Sequence, residues 1–597
     1  MREFSVPATV TVADEDNVSD MVFATAERFS DAIVYRRRVE GTWVDVTAQN
    51  FAAQVLAVAK GLRSSGIAAG DRVAVLSRTR YEWTLLDFAI LAAGAVTVPI
   101  YETSSAEQIE WIMSDSGAKA IIVEAEQHAA TVQGVKDKLV DLVNVWQIDG
   151  PEPAVEQLTA LGADVSDEDL HAQRRAQGGD DLASLVYTSG TTGRSKGCEL
   201  THRNIVAEVR TVVAGAPELL NANTQILLFL PLAHILARVV QFAGFQARAT
   251  VGHTADVKNL LPDLAEFRPT LVLSVPRVFE KVYNSARQKA HSAGKGKIFD
   301  AAEATAVQWS EAQDKGGAGL GLKVKHALFD RLVYGKLRAA LGGRCTDAVS
   351  GGAPLGVRLG HFFRGIGVTV YEGYGLTETS AAATIGLPKH FKVGTVGRPI
   401  GGTSIRIAED GEIMIKGDVV FRGYWNNPSA TAEALTEDRW FHSGDIGELD
   451  SDGYLRITGR KKELIVTAAG KNVAPAVLED RLRAHALISQ CMVVGDNQPF
   501  IGALVTIDPE AFPLWRDEHG KTGEVADLAE DPDLRAEIDA AVAEANKAVS
   551  AAEAIKKFRI LPVDFTEAGG QLTPTLKLKR NVVAKEFAHE IDAIYTR

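Results

Sequence analysis

Tyr187-Thr188-Ser189-Gly190-Thr191-Thr192-Gly193-Arg194-Ser195-Lys196-Gly197 follows the short apolar run Ala183-Ser184-Leu185-Val186. The run suits a buried strand. The stretch after it offers what a loop needs to hold a polyphosphate. Gly190, Gly193 and Gly197 let backbone N–H groups approach an anion. Thr188, Ser189, Thr191 and Thr192 add hydroxyl donors, and Lys196 adds a point charge. The usual nucleotide-triphosphatase loop wants Gly-Lys followed by Ser or Thr. Here Ser195 precedes the lysine and Gly197 follows it, so this is not that loop; a flexible Gly/Ser/Thr surface turn is the alternative reading.

Composition sets the frame around that loop. A chain of 597 residues exceeds one core, at a working prior of ~150 residues per domain. Apolar content of 46% and charged content of 24% are ordinary for a soluble globular protein. A formal net charge of -13 argues against a general nucleic-acid binder. Cys198, Cys345 and Cys491 match neither a zinc site nor a redox pair, and a reducing cytoplasm suits them. The N-terminus lacks the apolar core of a secretion signal. No apolar run reaches the ~20 residues of a membrane span. The expected location is therefore cytoplasmic. Peripheral contact with the inner membrane face and a homodimer are left open.

Upstream of the loop, helical and strand patterns alternate. Helices are expected at 51–62, 84–93 and 105–114, and strands at 72–77, 96–100 and 119–124. Strands separated by helices imply parallel pairing and a sheet covered on both faces. The Gly-rich dinucleotide fingerprint is absent. Downstream, strands are expected at 226–230, 270–274 and 347–350, with helices over 284–345 broken at Gly316-Gly317 and Gly342-Gly343. Short strands and glycine turns from Val393 to Tyr424 indicate a small β-rich subdomain. A helix is expected from Val473 to Ala484, a strand from Gln490 to Val494, and mostly helix over 507–557.

Three more motifs carry chemistry. Tyr371-Glu372-Gly373-Tyr374-Gly375-Leu376-Thr377-Glu378-Thr379 alternates rings with glycines and ends on a hydroxyl beside a carboxylate. A base needs a flat apolar surface, and Mg²⁺ commonly takes one or two carboxylates from protein. Phe441-His442-Ser443-Gly444-Asp445 presents a carboxylate suited to a ribose. Leu572-Thr573-Pro574-Thr575-Leu576-Lys577-Leu578-Lys579-Arg580 places basic residues after a proline turn.

The phosphate loop and these motifs, in this order, resemble the adenylate-forming superfamily of acyl-CoA synthetases, luciferases and peptide-synthetase adenylation domains. The resemblance implies an α/β fold. Two αβαβα-type subdomains and a small β-rich one form a large N-terminal domain (1–459). A hinge (460–462) joins it to a small mobile α+β C-terminal domain (463–597). It implies that Thr188 through Gly193 and Lys196 hold the ATP phosphates. Gly351-Gly352-Ala353 form a backbone cradle beside the adenine, within a nucleotide site running from Glu372 to Thr377. Tyr374 stacks on the base, Thr377 contacts the α-phosphate, and Glu378 with Thr188 holds Mg²⁺. Asp445 and Arg460 reach the ribose, and Lys462 is the hinge residue. Gly470, Lys471 and Asn472 face the channel for the CoA thiol. In most of the superfamily the catalytic lysine follows a Ser-Gly pair. Here Leu576 precedes Lys577, which takes the role, with Lys579 as runner-up.

Pro231-Leu232-Ala233-His234, the stretch from Pro276 to Tyr283 and the long helical segment after it look like the long-chain fatty acyl-CoA synthetase branch, with His234 bordering the acyl pocket. The implied reaction joins a fatty acid to AMP from ATP and then to CoA. A fatty acyl-AMP ligase feeding a carrier protein and an inactive lipid-binding relative are the alternatives. Shared adenylation chemistry also leaves light emission possible in principle.

Overall fold

The computed structural model describes residues 1–188, 194–256, 259–468, 471–573 and 576–596. The first sheet runs in the order Asn144–Gln147, Ala120–Val123, Arg72–Leu76, Val96–Ile100, Leu182–Thr188, Lys196–Thr201. Its pairs are parallel except the last, which is antiparallel. Parallel strands buried on both faces read as unbroken apolar runs, and Val-Ala-Val-Leu at 73–76 and Ala-Ile-Ile-Val at 120–123 are fully buried.

The second sheet has the order Arg398–Pro399, Thr384–Ile385, Thr369–Tyr374, Asp347–Ser350, Leu271–Ser274, Gln225–Leu228, Thr250–His253, Ile33–Val39, Thr42–Thr47. Its interior is parallel, while both edges turn antiparallel. The third sheet is antiparallel: Glu3–Ser5, Ser404–Ile407, Glu412–Lys416, Phe441–Leu449, Leu455–Arg460. The α/β class with an added β-rich unit is thus as expected, but that unit runs on to Arg460 and recruits the N-terminal strand.

A buried ion pair pins the first two layers together. Arg238, on the helix Ile235–Gln246, donates from Nε and Nη2 to Asp87 on the helix Tyr81–Ala92 at 2.8 and 2.6 Å. Both side chains are fully buried. Thr97 Oγ1 donates to Asp87, and Arg238 donates to Ser184 on the strand that leads into the phosphate loop. A buried pair is tolerated when its remaining lone pairs and N–H groups are satisfied in this way.

Residues beyond the third sheet close a core of their own, in which Leu478 and Leu482 pack on Ile488, Ile501 and Val505. Ile488–Val494 pairs antiparallel with Ile501–Ile507, which pairs parallel with Ile555–Ile560. Two expectations need correction here, and one strand was not foreseen. Val473 lies in the short strand Asn472–Val473, and the helix is Pro475–Arg483, because Pro475 fits the first helical position and not a helix interior. Residues 507–557 contain the helices Phe512–Glu518, Val525–Leu528 and Pro532–Asn546, but Ile555 opens a strand. Ile501–Ile507 is a strand the periodicity did not single out. The glycine pairs at 316–317 and 342–343 do break the intervening helices, all four with positive φ.

The helix Pro276–Ser292 reaches across to the C-terminal unit. Arg277 Nη2 donates to Asp508 Oδ2 at 3.1 Å and to Ser489 Oγ at 3.4 Å, and Lys281 Nζ meets Glu510 Oε1 at 2.8 Å. Asp508 is held ready for this, since its Oδ1 accepts the backbone N–H groups of Glu510 and Ala511.

Candidate active site

The strand Leu182–Thr188 ends where the phosphate loop begins, and Lys196 on the returning strand pairs in register with Thr188. The loop is therefore closed at its base by a hairpin. Ser189, Gly190, Thr191, Thr192 and Gly193 lie outside the described residues, as does Gly470. The anchors after the loop are clear: Trp111 Nε1 donates to Ser195 O at 2.8 Å, and Trp425 N–H donates to Gly197 O at 2.8 Å. A Cβ on Gly197 would meet Tyr187 Cζ at 3.1 Å, so this glycine serves close packing.

The adenine-type motif occupies the carboxyl end of the strand Thr369–Tyr374 and the short 3-10 turn Thr377–Thr379. Thr379 Oγ1 accepts the Leu376 N–H, tightening the turn. A Cβ on Gly375 would lie 1.7 Å from Ala381 O, so no other residue fits there without moving the backbone. Gly373 pairs with Ile385 in the sheet. Ser380 and Ala381 both have positive φ, a strained turn of the kind that collects at functional sites.

Two contacts join motifs that are far apart in the chain. Tyr374 Oη donates to Asp445 Oδ2 at 2.7 Å, and Arg460 Nε lies 3.1 Å from Asp445 Oδ1. Asp445 and Arg460 are register partners on adjacent strands, which fixes that pair through the backbone. Burial raises the Asp445 carboxyl pKa, while Arg460, the Tyr374 hydroxyl and Lys577 pull against it. Burial likewise raises the Tyr374 phenol, which stays a donor.

Tyr424 was not among the expected site residues. Its hydroxyl donates to Glu378 Oε1 at 2.8 Å, and Lys196 Nζ sits 4.8 Å from its ring centroid. Tyr424 thereby ties the lysine of the phosphate loop to the carboxylate of the adenine motif. The only sequence signal was its aromatic neighbourhood, Phe421-Arg422-Gly423-Tyr424-Trp425. With Glu378 Oε1 engaged by Tyr424, its other oxygen has no protein hydrogen bond among the described residues. No group of three or more His, Cys, Asp or Glu forms a metal cage among the described residues. One carboxylate beside a phosphate loop is a donor set that fits Mg²⁺, which keeps water and phosphate ligands.

Glu372 points inward instead of lining an open face. Its Oε2 accepts the Leu355 N–H at 2.9 Å, and burial first, then the charge of Asp480, pushes its carboxyl up to about 7. Asp480 belongs to the C-terminal helix Pro475–Arg483 and is itself pushed up to about 6, chiefly by burial.

The C-terminal unit brings Lys577 over this site. Thr573 N–H donates to Lys577 O and Lys577 N–H to Thr573 Oγ1, closing a tight turn. Leu576 within it has φ 60°, the left-handed conformation that glycine takes without strain. A Cβ built on Gly352 would lie 3.9 Å from Lys577 Cε and 3.9 Å from Val275 Cγ1. Lys577 is open to solvent in the cleft, yet the protein around it and then Arg460 lower its ammonium pKa, against Asp445, Glu378 and Glu463. Lys579 instead donates its backbone N–H to Gln571 O and precedes the helix Arg580–Glu586.

Gly351 donates to Ser274 O at 3.3 Å and packs on Leu236, and Ala353 is exposed beside it. His234 caps the helix Ile235–Gln246, its Nδ1 accepting the Leu236 N–H at 3.2 Å. Burial and the charge of Lys577 push this imidazole down to about 3, so it is neutral. Lys462 is exposed in the 3-10 turn Lys461–Glu463 that leaves the third sheet. Lys471 N–H donates to Thr467 Oγ1, its ammonium pairs with Glu553, and Asn472 lies in a two-stranded ribbon with Val466. Lys471 and Asn472 therefore belong to the C-terminal unit, apart from the nucleotide motifs.

Comparison with known proteins agrees with this geometry. The AMP-binding enzyme family matches residues 22–425, and the AMP-binding enzyme C-terminal domain matches 462–597. The chain is 59% identical over 600 residues to the long-chain-fatty-acid–CoA ligase FadD15 of Mycobacterium tuberculosis, covering 100% of both chains. It is 32% identical to the Xenopus laevis long-chain-fatty-acid–CoA ligase ACSBG2, covering 96% of this chain and 82% of that one. Among solved structures, the anthranilate CoA ligase AuaEII in complex with anthranoyl-AMP has a TM-score of 0.72 at 17% identity, covering 97% and 98% of the two chains. With family matches that together span most of its length, the chain belongs to the AMP-binding enzyme family.

Proposed function

We propose that this protein is an AMP-forming long-chain fatty acid–CoA ligase. The observation that carries the reading is full-length identity of 59% to a relative of that name, together with a lysine from the C-terminal unit beside the nucleotide cradle. A carboxylate is a poor electrophile because its leaving group would be oxide. Its oxygen attacks the α-phosphorus of ATP, the α–β bridging bond breaks, and pyrophosphate leaves. The acyl-adenylate that results is a mixed acyl–phosphate anhydride, whose acyl carbon is activated. The CoA thiolate then attacks the acyl carbon and AMP departs.

Each residue has a stated task in this reading. Asp445 accepts the ribose hydroxyls and Arg460 steadies that carboxylate. Tyr374, fixed by its bond to Asp445, lays its ring along the adenine, while Gly351, Gly352 and Ala353 cradle the base edge. Thr377, Lys196 and the loop residues 188–193 hold the phosphates. Glu378 and Thr188 would hold Mg²⁺, which supplies charge neutralisation between phosphates when bound. Lys577 holds the carboxylate and the α-phosphate against their mutual repulsion; such positioning removes ~7–11 kcal/mol of barrier in ideal cases. Neutral His234 borders the acyl pocket without adding a competing charge.

The C-terminal unit, residues 463–597, then swings about 460–462, with Lys462 as pivot, to bring Gly470, Lys471 and Asn472 to the thiol channel. The test is incubation of purified protein with ATP, CoA and a ladder of fatty acids, reading acyl-CoA and AMP. Stoichiometric acyl-CoA supports the ligase. Acyl-adenylate that forms while CoA stays unconsumed would point to a carrier-protein acceptor, and no fatty-acid-dependent pyrophosphate release would overturn the reading.

A further inference from the structure

The helical segment that marks the long-chain branch has a surface the reaction does not use. The helix Leu320–Phe329 contains no buried residue. Its outward side carries Leu320, Val324 and Leu328, exposed by 81, 70 and 56%, and the stripe continues to Leu332 in the next turn at 47%. These aliphatic side chains recur every fourth residue, so they form one slanting stripe. Ile298, on the neighbouring helix Gly296–Asp314, adds a further exposed aliphatic side chain. Scattered exposed leucines need no explanation, but an ordered apolar stripe does.

The opposite side of the segment is anchored. His326 stacks on Trp309 at 4.1 Å and bonds Gly365 O at 2.6 Å, and Arg338 bonds Asp330 and Ile366 O. The stripe is thus presented by a fixed element. Charge frames it: between Lys315 and Arg344 the sequence carries seven lysines and arginines against one acid, Asp330, in a chain whose net charge is -13. By helical rotation Lys323 lies on one margin of the stripe and Lys325 on the other, and both are exposed.

We infer that this face docks on an anionic lipid bilayer, with Leu320, Val324, Leu328 and Leu332 entering the acyl–headgroup boundary and Lys323, Lys325 and Lys336 meeting lipid phosphates. An exposed apolar stripe flanked by lysines has the two properties that hold a helix in the interface plane. No helix among the described residues is long and apolar enough to cross a membrane, so the contact is peripheral. The value of docking to catalysis rests on the proposed fatty-acid substrate, whereas the docking itself does not.

The full chain is floated with vesicles of phosphatidylcholine alone or mixed with phosphatidylglycerol. The protein is expected to float with the anionic vesicles, less with the neutral ones, and to be released by salt. Leu320→Asn/Val324→Asn/Leu328→Asn and, separately, Lys323→Glu/Lys325→Glu/Lys336→Glu should each cut binding by at least about tenfold. Both should leave vesicle-free turnover of a dispersed fatty acid unchanged. Failure of the wild-type chain to bind anionic vesicles, or unaltered binding by both variants, overturns the inference. So does a wild-type dimer in sedimentation that the stripe variant dissociates without any change in flotation, because a second copy would then cover the face. Loss of turnover with flotation intact would count against the proposed reaction, not against docking.

Discussion

Replacing Lys577 with alanine should separate the two half-reactions. Lys577 Cε stands beside Gly352, in the charge field of Asp445 and Glu378. Loss of one preorganised donor at a site of developing charge typically costs 10²–10³ in rate, or about 2.7–4 kcal/mol. Fatty-acid-dependent pyrophosphate release in a single turnover should therefore fall by roughly 10²–10³-fold. Thioester formation from supplied acyl-adenylate and CoA should be nearly unchanged. Lys579→Ala, at the start of the following helix, should do little to either. The lowered Lys577 pKa, from desolvation by the protein around its cleft first and Arg460 second, adds a pH signature. The ammonium is lost at a lower pH than in an ordinary lysine, so adenylation should decline early on the alkaline side while the second step does not follow it. Equal loss of both half-reactions in Lys577→Ala, or a larger loss in Lys579→Ala, would refute the reasoning.

Three further perturbations test the frame around that lysine. Leu576→Gly should relieve about 1–2 kcal/mol of left-handed strain, partly offset by about 0.5–1 kcal/mol of added unfolded-state freedom; thermal melting should show stability held or slightly raised, and Leu576→Val lowered. Arg277→Ala removes the bonds to Asp508 and Ser489 and should cost the closed arrangement about 1–2 kcal/mol. Labels on Lys323→Cys and Lys556→Cys, in a chain whose native cysteines are all buried, should then report a broadened interdomain distance; an unchanged distribution would show that the clasp is idle. Glu372 sets a pH dependence. Its pKa in the folded chain is raised from 4.5 to about 7, so the stability it contributes is full below about 4.5 and lost as pH rises towards 7. That shift is worth about 3 kcal/mol. Denaturation of Glu372→Gln across this window should show a shallower loss than the wild type, and an identical slope would count against the burial argument.

How much of this was legible follows from what local pattern encodes. Buried strands such as Val73–Leu76 announce themselves because every residue faces a core, and the four motifs because their chemistry is concentrated in consecutive residues. The bond from Tyr374 to Asp445 spans 71 positions, and no periodicity reports it. Tyr424 is similar: it gains its place by meeting Lys196 and Glu378 from two other segments. The hairpin of Ile33–Val39 with Thr42–Thr47 joins the second sheet beside Thr250–His253, a neighbour that sequence order does not indicate. Ile501–Ile507 went unread for another reason, since a short apolar run cannot by itself be told from helix.

The Leu576 position shows where sequence and structure part most usefully. A leucine where the superfamily usually has glycine left the choice between Lys577 and Lys579 open. The backbone nevertheless adopts the glycine conformation there, so the turn is kept while the side chain changes. The rest follows from sheet topology. In open α/β sheets ligands gather at the carboxyl ends of the strands, and Thr188, Ser274, Ser350 and Tyr374 are the last residues of four such strands. A lysine on a tight turn, brought beside Gly352 by a separately folded unit, completes that crevice from outside. That unit closes a core of its own, apart from the buried Asp87–Arg238 pair that joins the helices of the first two sheets.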